Sequence, residues 1–239
     1  MALPKLSNDR PIYEMTVPST KEVVKYRPFL VKEQKSMLVA FESQDPKQIL
    51  NSMVASIDTC VDNLNVKELS TFDVDYIFTR IRSKSVGETS KILMACEHCN
   101  EENEVTINLD NITVEDFVLK NTSIPINDDI TVEMKYPTYE DMLKNEALFK
   151  DEINAADVLF GNIMTCMHAV QTQEENLLIR EEPKEEVETF LNSLTNDQLQ
   201  KLVEFVESVP SLSHSENYNC KKCGKENTIT LNGIKDFFY

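Results

Sequence analysis

The sequence predicts an α+β fold, in which a helical body with short strands carries a split, zinc-ribbon-like four-cysteine site joining mid-chain to the C-terminus. Three observations indicate this fold. Apolar residues recur at helical spacing through the N-terminal third and the middle of the chain. Polar and apolar residues alternate in two short runs, 105–109 and 228–231, as they do in half-buried strands. A C-x-x-C motif begins at Cys96 and again at Cys220.

Residues 1–30 are predicted to form an extended N-terminal arm. Three prolines within its first 18 residues exclude a long helix, because proline lacks the N–H that a helix interior needs. Strands are predicted at 12–17 and 21–30. The arm can lie on its own domain or on a neighbouring protein.

Residues 31–95 are predicted to form a helical region. Helices are expected at 31–43, 45–61 and 70–82, because apolar residues there line one side of a helix. The second has the clearest start, since an aspartate N-cap is followed by proline in the first turn. A strand at 90–95 then leads into the first cysteine motif.

Residues 118–212 are predicted to form a mainly helical insertion. Its most apolar segment, 157–171, is predicted to be one helix and includes His168. The other expected elements are a strand at 130–134, a helix capped by Thr138, a charged turn and helix start at 181–186, and a helix at 195–206.

The last predicted module is split between 96–117 and 213–239. Two C-x-x-C loops supply four thiolates, the number that a tetrahedral structural zinc requires. Both loops lead into alternating strands, as in zinc ribbons. We therefore expect one structural zinc per chain, bound by Cys96, Cys99, Cys220 and Cys223.

Opposite charges flank the two loops. If both loops share one metal, these acidic and basic side chains should lie close together, and individually they would contribute little if exposed. The acidic set is Glu97, Glu101, Glu102 and Glu104, and the basic set is Lys221, Lys222 and Lys225.

No arrangement typical of an enzyme is visible, and no catalytic residue is predicted. Four thiolates leave no open position on a zinc for water. His98 could replace a cysteine ligand, but solvent exposure is the expectation, and His168 and His214 stand alone. Cys60 and Cys166 are expected to be buried, where a free cysteine behaves as a small hydrophobe.

The formal charge of −17 disfavours nucleic acid and anionic membranes as partners. It suits solubility and basic protein partners. Neither a signal peptide nor a membrane span is expected, which places the chain in a reducing cytoplasm or in a particle assembled there. In that compartment, paired C-x-x-C motifs indicate metal ligands before disulfides.

A distinctive segment lies near the N-terminus: Lys25-Tyr26-Arg27-Pro28-Phe29-Leu30-Val31-Lys32-Glu33-Gln34-Lys35. It resembles the YRPF-x-VKEEK block of baseplate hub and hub-assembly proteins from T-even-like contractile-tailed phages. Gln34 stands where a second acidic residue is expected. The resemblance covers roughly residues 18–60, and beyond them it is general: length, an acidic helical middle and paired cysteines.

The resemblance implies a non-enzymatic protein that builds the central hub of the baseplate, either as a subunit or as an assembly factor. Its partners would be other hub and tail proteins, with no nucleic acid, membrane or small-molecule substrate. Its location would be the tail baseplate of the virion, the host cytoplasm during assembly, or both.

Two features are candidates for contact with such partners. The Tyr26–Phe29 block is either a strand-to-helix corner held by packing or a contact surface. The chain ends, the proline-punctuated arm and the aromatic Phe237-Phe238-Tyr239, are expected to make further contacts.

Two other functions remain open from the sequence. The first is a thiol-redox enzyme that uses the C-x-x-C pairs, although strand-like sequence around both motifs argues against the helix N-terminus that such enzymes use. The second is a zinc-ribbon module for nucleic acid, which the acidic charge opposes.

Overall fold

The computed structural model describes residues 10–114, 122–144 and 154–232. The chain divides into two compact units. The first combines Met1–Glu115 with Ser211–Tyr239, and the second is Asp116–Pro210. The chain therefore leaves the first unit and returns to it after forming the second.

The first unit contains a hairpin, three helices and two further hairpins in the described residues. Before the second unit its elements are β1 (Tyr13–Thr16), β2 (Val23–Tyr26), α1 (Val31–Ser43), α2 (Pro46–Cys60), α3 (Thr71–Val86), β3 (Thr89–Ala95), β4 (Glu102–Asn108) and β5 (Thr113–Val114). A 3-10 turn, Leu109–Asn111, separates the last two strands.

The second unit mixes strands and helices in its described residues. Its elements are β6 (Ser123–Pro125), β7 (Thr131–Met134), α4 (Tyr139–Lys144), α5 (Ala155–Cys166), β8 (Met167–Gln171), β9 (Asn176–Leu178), α6 (Lys184–Asn192) and α7 (Asn196–Glu207). The chain then re-enters the first unit through β10 (Leu212–Asn219) and β11 (Glu226–Asn232).

The three predicted N-terminal helices are present, and α2 begins as the sequence indicates. The side chain of Asp45 accepts hydrogen bonds from the backbone N–H groups of Lys47 and Gln48, at 2.9 and 3.4 Å. Helix α3 continues four residues beyond its predicted end. Its buried side, with part of α2, forms the helical core of the first unit, whose fully buried side chains include Met53, Ile57, Phe72, Ile77, Phe78 and Ile81.

The Tyr26–Phe29 block forms a corner between β2 and α1. Tyr26 is buried, and the ring of Phe29 packs on Phe78 with centroids 5.5 Å apart. Arg27 pairs with the buried Glu33 at 3.0 Å and donates to the backbone carbonyls of Pro28 and of Thr59 in α2. These contacts agree with the structural interpretation of the block, and its role as a contact surface stays a prediction.

The two hairpins of the split module share a small core. Strand β3 pairs with β4, and β10 pairs with both β11 and β5, all antiparallel. The β5–β10 pairing joins the strand that leaves the first unit to the strand that returns to it. The buried residues of this core are Ile92, Val105, Ile107, Leu109, Ile112, Leu212, Ile229 and Leu231.

The second unit is built on a four-stranded antiparallel sheet in the order β6-β7-β8-β9. Helices α5, α6 and α7 contribute to its core. The buried members include Val132, Met134, Ile163, Val187, Leu191, Leu202 and Phe205.

The prediction of one helix over 157–171 is wrong at its C-terminal end. Helix α5 ends at Cys166, and 167–171 form the central strand β8, in which Val170 pairs with Val132 on one side and Leu177 on the other. An apolar run alone does not distinguish buried helix from buried strand. His168 therefore lies exposed on a strand rather than in an apolar helix.

Two segments that are predicted to make contacts lie wholly or partly outside the described residues. The first nine residues and the aromatic Phe237-Phe238-Tyr239 lie beyond the described ranges. The four-part division into 1–30, 31–95, 96–117 with 213–239, and 118–212 stays a prediction beside the two units.

Candidate metal centre

Each C-x-x-C motif lies at the tip of a hairpin, and the two tips have the same hydrogen-bond pattern. In the first, Cys96 N–H donates to the Glu101 carbonyl at 2.9 Å, and Asn100 N–H donates to the Cys96 carbonyl at 2.8 Å. In the second, Cys220 N–H donates to the Lys225 carbonyl at 2.9 Å. Gly224 N–H donates to the Cys220 carbonyl, also at 2.9 Å. The two loops are therefore structural repeats of one another.

The residue after the second cysteine of each loop has a left-handed backbone. Asn100 has φ of 55° and Gly224 has φ of 71°. Glycine and asparagine are the residues that adopt this conformation most readily. The turn brings both sulfurs of a loop to the same side.

The four sulfurs form one cluster. The Sγ atoms of Cys96 and Cys223 are 3.7 Å apart, and those of Cys99 and Cys220 are 3.6 Å apart. All four lie within 4.8 Å of one another. A tetrahedron with metal–sulfur bonds near 2.3 Å has edges of about 3.8 Å. The cysteines are thus positioned to bind a metal ion, and the close pairs join the two loops.

Backbone N–H groups donate to the first sulfur of each loop. His98 N–H donates to Cys96 Sγ and Lys222 N–H donates to Cys220 Sγ, both at 3.4 Å. N–H donation from Cys223 and Lys222 lowers the pKa of Cys220 to about 6, because it stabilises the thiolate. At Cys96 burial acts to raise the pKa, but the N–H groups of His98 and Cys99, together with the Cys223 thiol, lower it.

The neighbouring thiols oppose the ionisation of Cys99. The Glu101 N–H lowers the pKa of Cys99, but burial and the neighbouring sulfurs together raise it to about 12. A divalent cation removes this opposition, since it stabilises all of its thiolate ligands at once. The donor set therefore fits a cation that prefers sulfur.

A pair of buried asparagines crosses between the hairpins. Lys221 N–H donates to Asn103 Oδ1 at 2.9 Å, and Glu97 N–H donates to Asn227 Oδ1 at 3.1 Å. Each asparagine also donates to a carbonyl in its own loop, at 2.7 and 2.9 Å respectively. Both are only 4% exposed. The loops are thus held together by reciprocal hydrogen bonds as well as by their sulfurs.

Sequence reasoning did not assign these asparagines a role, although a signal was present. Each stands seven residues after the first cysteine of its motif. The apolar residues that follow also correspond when counted from the first cysteine of each motif: Val105 to Ile229, and Ile107 to Leu231. The pairs Thr106-Ile107 and Thr228-Ile229 look alike in sequence but stand two residues out of register, which leaves the buried face unchanged because strand side chains alternate.

The predicted charge contact between the loops is present. Lys222 Nζ lies 3.0 Å from a Glu101 carboxylate oxygen, and Lys221 Nζ lies 3.9 Å from the other. The lysines are largely exposed, so this contact adds little stability.

Helix α3 binds the 3-10 turn that follows the hairpin of the first cysteine loop. Arg80 donates to the carbonyls of Asp110 and Ile112 at 2.8 and 3.2 Å. Lys84 and Ser83 bind the Asp110 carboxylate at 2.8 and 2.6 Å. The 3-10 turn that follows β4 is therefore fixed to the helical core.

The remaining cysteines and histidines do not join the cluster. Among the described residues, the four cysteines are the one group of three or more side chains close enough to share a metal ion. Cys60 and Cys166 are buried as expected, and burial raises the pKa of each thiol, to about 11 and about 12. His98 contributes its backbone N–H, and His214 pairs with Glu216 at 3.1 Å.

Comparison with protein families shows that residues 10–239 match T4 bacteriophage base plate protein. The chain belongs to this baseplate family. No significant match was found among curated proteins or solved structures.

Membership of this family confirms the resemblance of the N-terminal block to baseplate proteins of T4-like phages. It implies interaction with other phage tail proteins and a place in the virion tail. A structural family of this kind suggests a non-enzymatic role. Within the described residues, no helix combines the length and apolar character needed to cross a bilayer.

Proposed function

We propose that this baseplate protein is a non-enzymatic hub subunit or hub-assembly factor whose split module is closed by one structural zinc. The observation that supports the zinc is the four-sulfur cluster, which draws two ligands from each hairpin tip. Four thiolates complete a tetrahedral zinc shell and leave no position for water, which suits a structural ion and not a catalytic one.

Zinc is the preferred metal for this donor set in a reducing compartment. Soft thiolates select zinc, copper(I) and iron–sulfur clusters among the common metals. The single cluster, with edges of 3.6 and 3.7 Å across its close pairs, has the size of one tetrahedral mononuclear site. The bound ion would join mid-chain to the C-terminal hairpin.

Metal analysis of the purified chain tests the zinc. We expect one zinc per chain and its loss on replacing either Cys99 or Cys220 by serine. The Cys166→Ser variant is the matched control, because that cysteine is buried outside the cluster, and it should keep the metal. A zinc content near zero in protein purified without chelators would contradict the proposal.

Co-purification with hub and tail-tube-end proteins tests the hub role. We expect a defined complex by light scattering, and no association would contradict the proposal. Mass spectrometry of finished and partly assembled tails then separates the two forms of the role. A subunit is present in both, whereas an assembly factor is absent from finished tails.

The two alternatives predict different results. A thiol-redox enzyme would reduce insulin disulfides after zinc chelation, but its attacking cysteine is expected at a helix N-terminus, and all four cysteines here lie at hairpin tips. A nucleic-acid module would show salt-sensitive binding to DNA or RNA. We expect neither activity.

A further inference from the structure

A pocket of about 580 Å³ lies within the second unit. Four cationic side chains line it, and they come from four separate positions in the fold: Lys135 after β7, Lys144 at the end of α4, Arg180 in a 3-10 turn, and Lys184 at the start of α6. The volume falls within the range of about 300–1,000 Å³ that is usual for ligand pockets.

The concentration of positive charge is unusual for this unit. Residues 116–210 contain seven lysines and arginines against twenty aspartates and glutamates, a formal charge of −13. Four of those seven cations line this one pocket, and among the described residues Asp141 is the one acidic side chain in its lining. An acidic surface around a basic pocket favours a ligand of limited negative charge over a polyanion, which the surroundings repel.

The lining cations have acidic neighbours that a ligand can replace. Lys144 lies 2.9 Å from Glu140, Arg180 lies 3.4 Å from Glu181, and Lys184 lies 3.6 Å from Glu188. The side chains of these three pairs are all exposed, and exposed pairs contribute about 0–1 kcal/mol. Lys135 differs, because it holds the partly buried Asp141 at 2.8 Å and helps to shape the pocket.

Lys184 stands at a position where a cation is unfavourable by itself. It is the first residue of α6, which begins without a side-chain cap. A helix N-terminus carries partial positive charge and favours an anion. Lys184 and the helix N-terminus therefore act in the same direction on a negatively charged ligand.

Part of the pocket wall is apolar, although Thr165 and His168 add polar side chains to it. Met164, Met167 and Ile179 contribute to the lining beside the cations. Such a wall suits an aliphatic or aromatic side chain that accompanies a carboxylate. Methionine adapts well to varied apolar partners because its side chain is flexible and polarizable.

We propose that this pocket binds an acidic segment of a partner protein, in which one or two carboxylates flank an apolar side chain. The carboxylates would contact Arg180, Lys184 and Lys144, and the apolar side chain would contact Met164 and Ile179. That the partner is another tail protein rests on the proposed function. The chemistry of the pocket is independent of that function and of the metal site.

The test is binding of the purified full chain to an array of blocked hexapeptides that carry two carboxylates around one leucine, methionine or phenylalanine. The control peptides replace each carboxylate by its amide. We expect a subset of the acidic peptides to bind in the micromolar to millimolar range and the amide peptides not to bind. NMR shift changes should map to residues around Thr165 and Ile179.

The Arg180→Glu/Lys184→Glu double variant should weaken peptide binding by about tenfold or more, because it replaces attraction by repulsion. Its matched control is Lys201→Glu, an exposed cation of the same unit outside the pocket. Circular dichroism and unchanged NMR shifts of the Leu202 core establish that the variants are folded.

Three results would overturn the inference. They are equal binding of acidic and amide peptides, no binding by any acidic peptide, and unchanged binding by the double variant. A parallel NMR titration uses inorganic phosphate as the probe. If phosphate shifts the same resonances and the peptides bind no more tightly than phosphate, the pocket binds small anions and not an acidic segment. If the peptides do not bind but the chain still co-purifies with hub and tail proteins, the pocket inference is wrong and the proposed function stands. If co-purification fails, the proposed function is contradicted regardless of peptide binding.

Discussion

Asn103 and Asn227 join the two loops through hydrogen bonds from the backbone, while the four cysteines are positioned to join them through a metal ion. Each amide accepts from the N–H next to the first cysteine of the opposite loop. Because both asparagine side chains are buried, water is not readily available to their amides as an alternative hydrogen-bond partner. These hydrogen bonds therefore hold the loops together independently of the sulfurs.

Replacing Asn103 by alanine should destabilise the split module by about 1–3 kcal/mol, since the Lys221 N–H loses its acceptor in a buried place. Metal affinity, measured by competition with a chelator, should fall in parallel. Asn217→Ala is the matched control, because this exposed asparagine of the β10–β11 hairpin accepts a surface hydrogen bond from the Thr228 hydroxyl. Equal effects of the two substitutions would contradict the cross-hairpin role.

The left-handed residues give a second prediction at this scale. Gly224→Ala should cost about 1–2 kcal/mol through its backbone conformation, because an added Cβ meets no atom within 4 Å and causes no clash. Gly224→Asn should cost clearly less, since Asn100 adopts this conformation in the equivalent position. Chemical denaturation of the metal-loaded chain measures both, and a costlier asparagine would refute the equivalence of the loops.

At the scale of elements, the corner between β2 and α1 depends on a buried ion pair. Glu33 is 6% exposed and accepts from Arg27 at 3.0 Å and from Leu30 N–H at 2.8 Å. Burial alone would raise the pKa of Glu33, but these donors and Lys32 lower it below its ordinary value. The Glu33 carboxylate therefore accepts from the backbone N–H of Leu30 at the start of α1 and also binds Arg27, the residue that follows β2.

The lowered pKa of Glu33 predicts a pH dependence. Its contribution to stability is complete above the ordinary pKa of 4.5 and is lost as the pH falls through the lower folded value, because the unfolded chain then binds the proton more tightly. Glu33→Gln should remove this part of the acid sensitivity and cost about 1–3 kcal/mol at neutral pH.

Denaturation midpoints between pH 3 and 7 measure the effect of Glu33→Gln. The control is Glu14→Gln, whose exposed pair with Lys25 at 3.8 Å should matter little. If the two variants show the same pH profile, the corner does not depend on the ionised Glu33.

The elements differ in how well the sequence predicts them, for physical reasons. Helix α2 carries its start in two adjacent residues, Asp45 and Pro46, so its beginning could be predicted from local chemistry. The strand at 167–171 could not, because its apolar residues suit either structure and its pairing with β7 and β9 decides the outcome. Local residues indicate where a helix begins, whereas pairing with strands elsewhere in the sequence decides whether an ambiguous apolar segment forms a helix or a strand.

At the scale of the molecule, the repeated motif predicted that residues over a hundred positions apart meet. That inference needed only the number of thiolates a tetrahedral ion requires. The crossing asparagines and the basic pocket could not be predicted in this way. They depend on which side chains the folded hairpins and sheet bring together, and no short pattern in the chain encodes those distances.

Removal of the metal should loosen one module without unfolding the rest. A strong chelator should reduce hydrogen-exchange protection in the loops Cys96–Glu101 and Cys220–Lys225, because four clustered sulfurs lose their shared cation. Protection around Ile163 and Leu202 should persist, since that core contains no residue of the metal site.

Cys99→Ser should reproduce the chelator's effect in exchange experiments, and Cys166→Ser should still respond to the chelator. Equal loss of protection in both units would contradict this separation. It would show that the ion stabilises the whole chain.

Because the two cysteine pairs of the split site are far apart in the sequence, they are synthesised at different times. The first hairpin leaves the ribosome with two of the four ligands, and its partner follows 124 residues later. At about 5–20 residues per second, this delay is roughly 6–25 s. During that interval the nascent chain presents an incomplete thiol pair, and a chain that stops within the second unit never completes it. Occupancy of the site would thus distinguish finished chains from interrupted ones before they reach a growing tail.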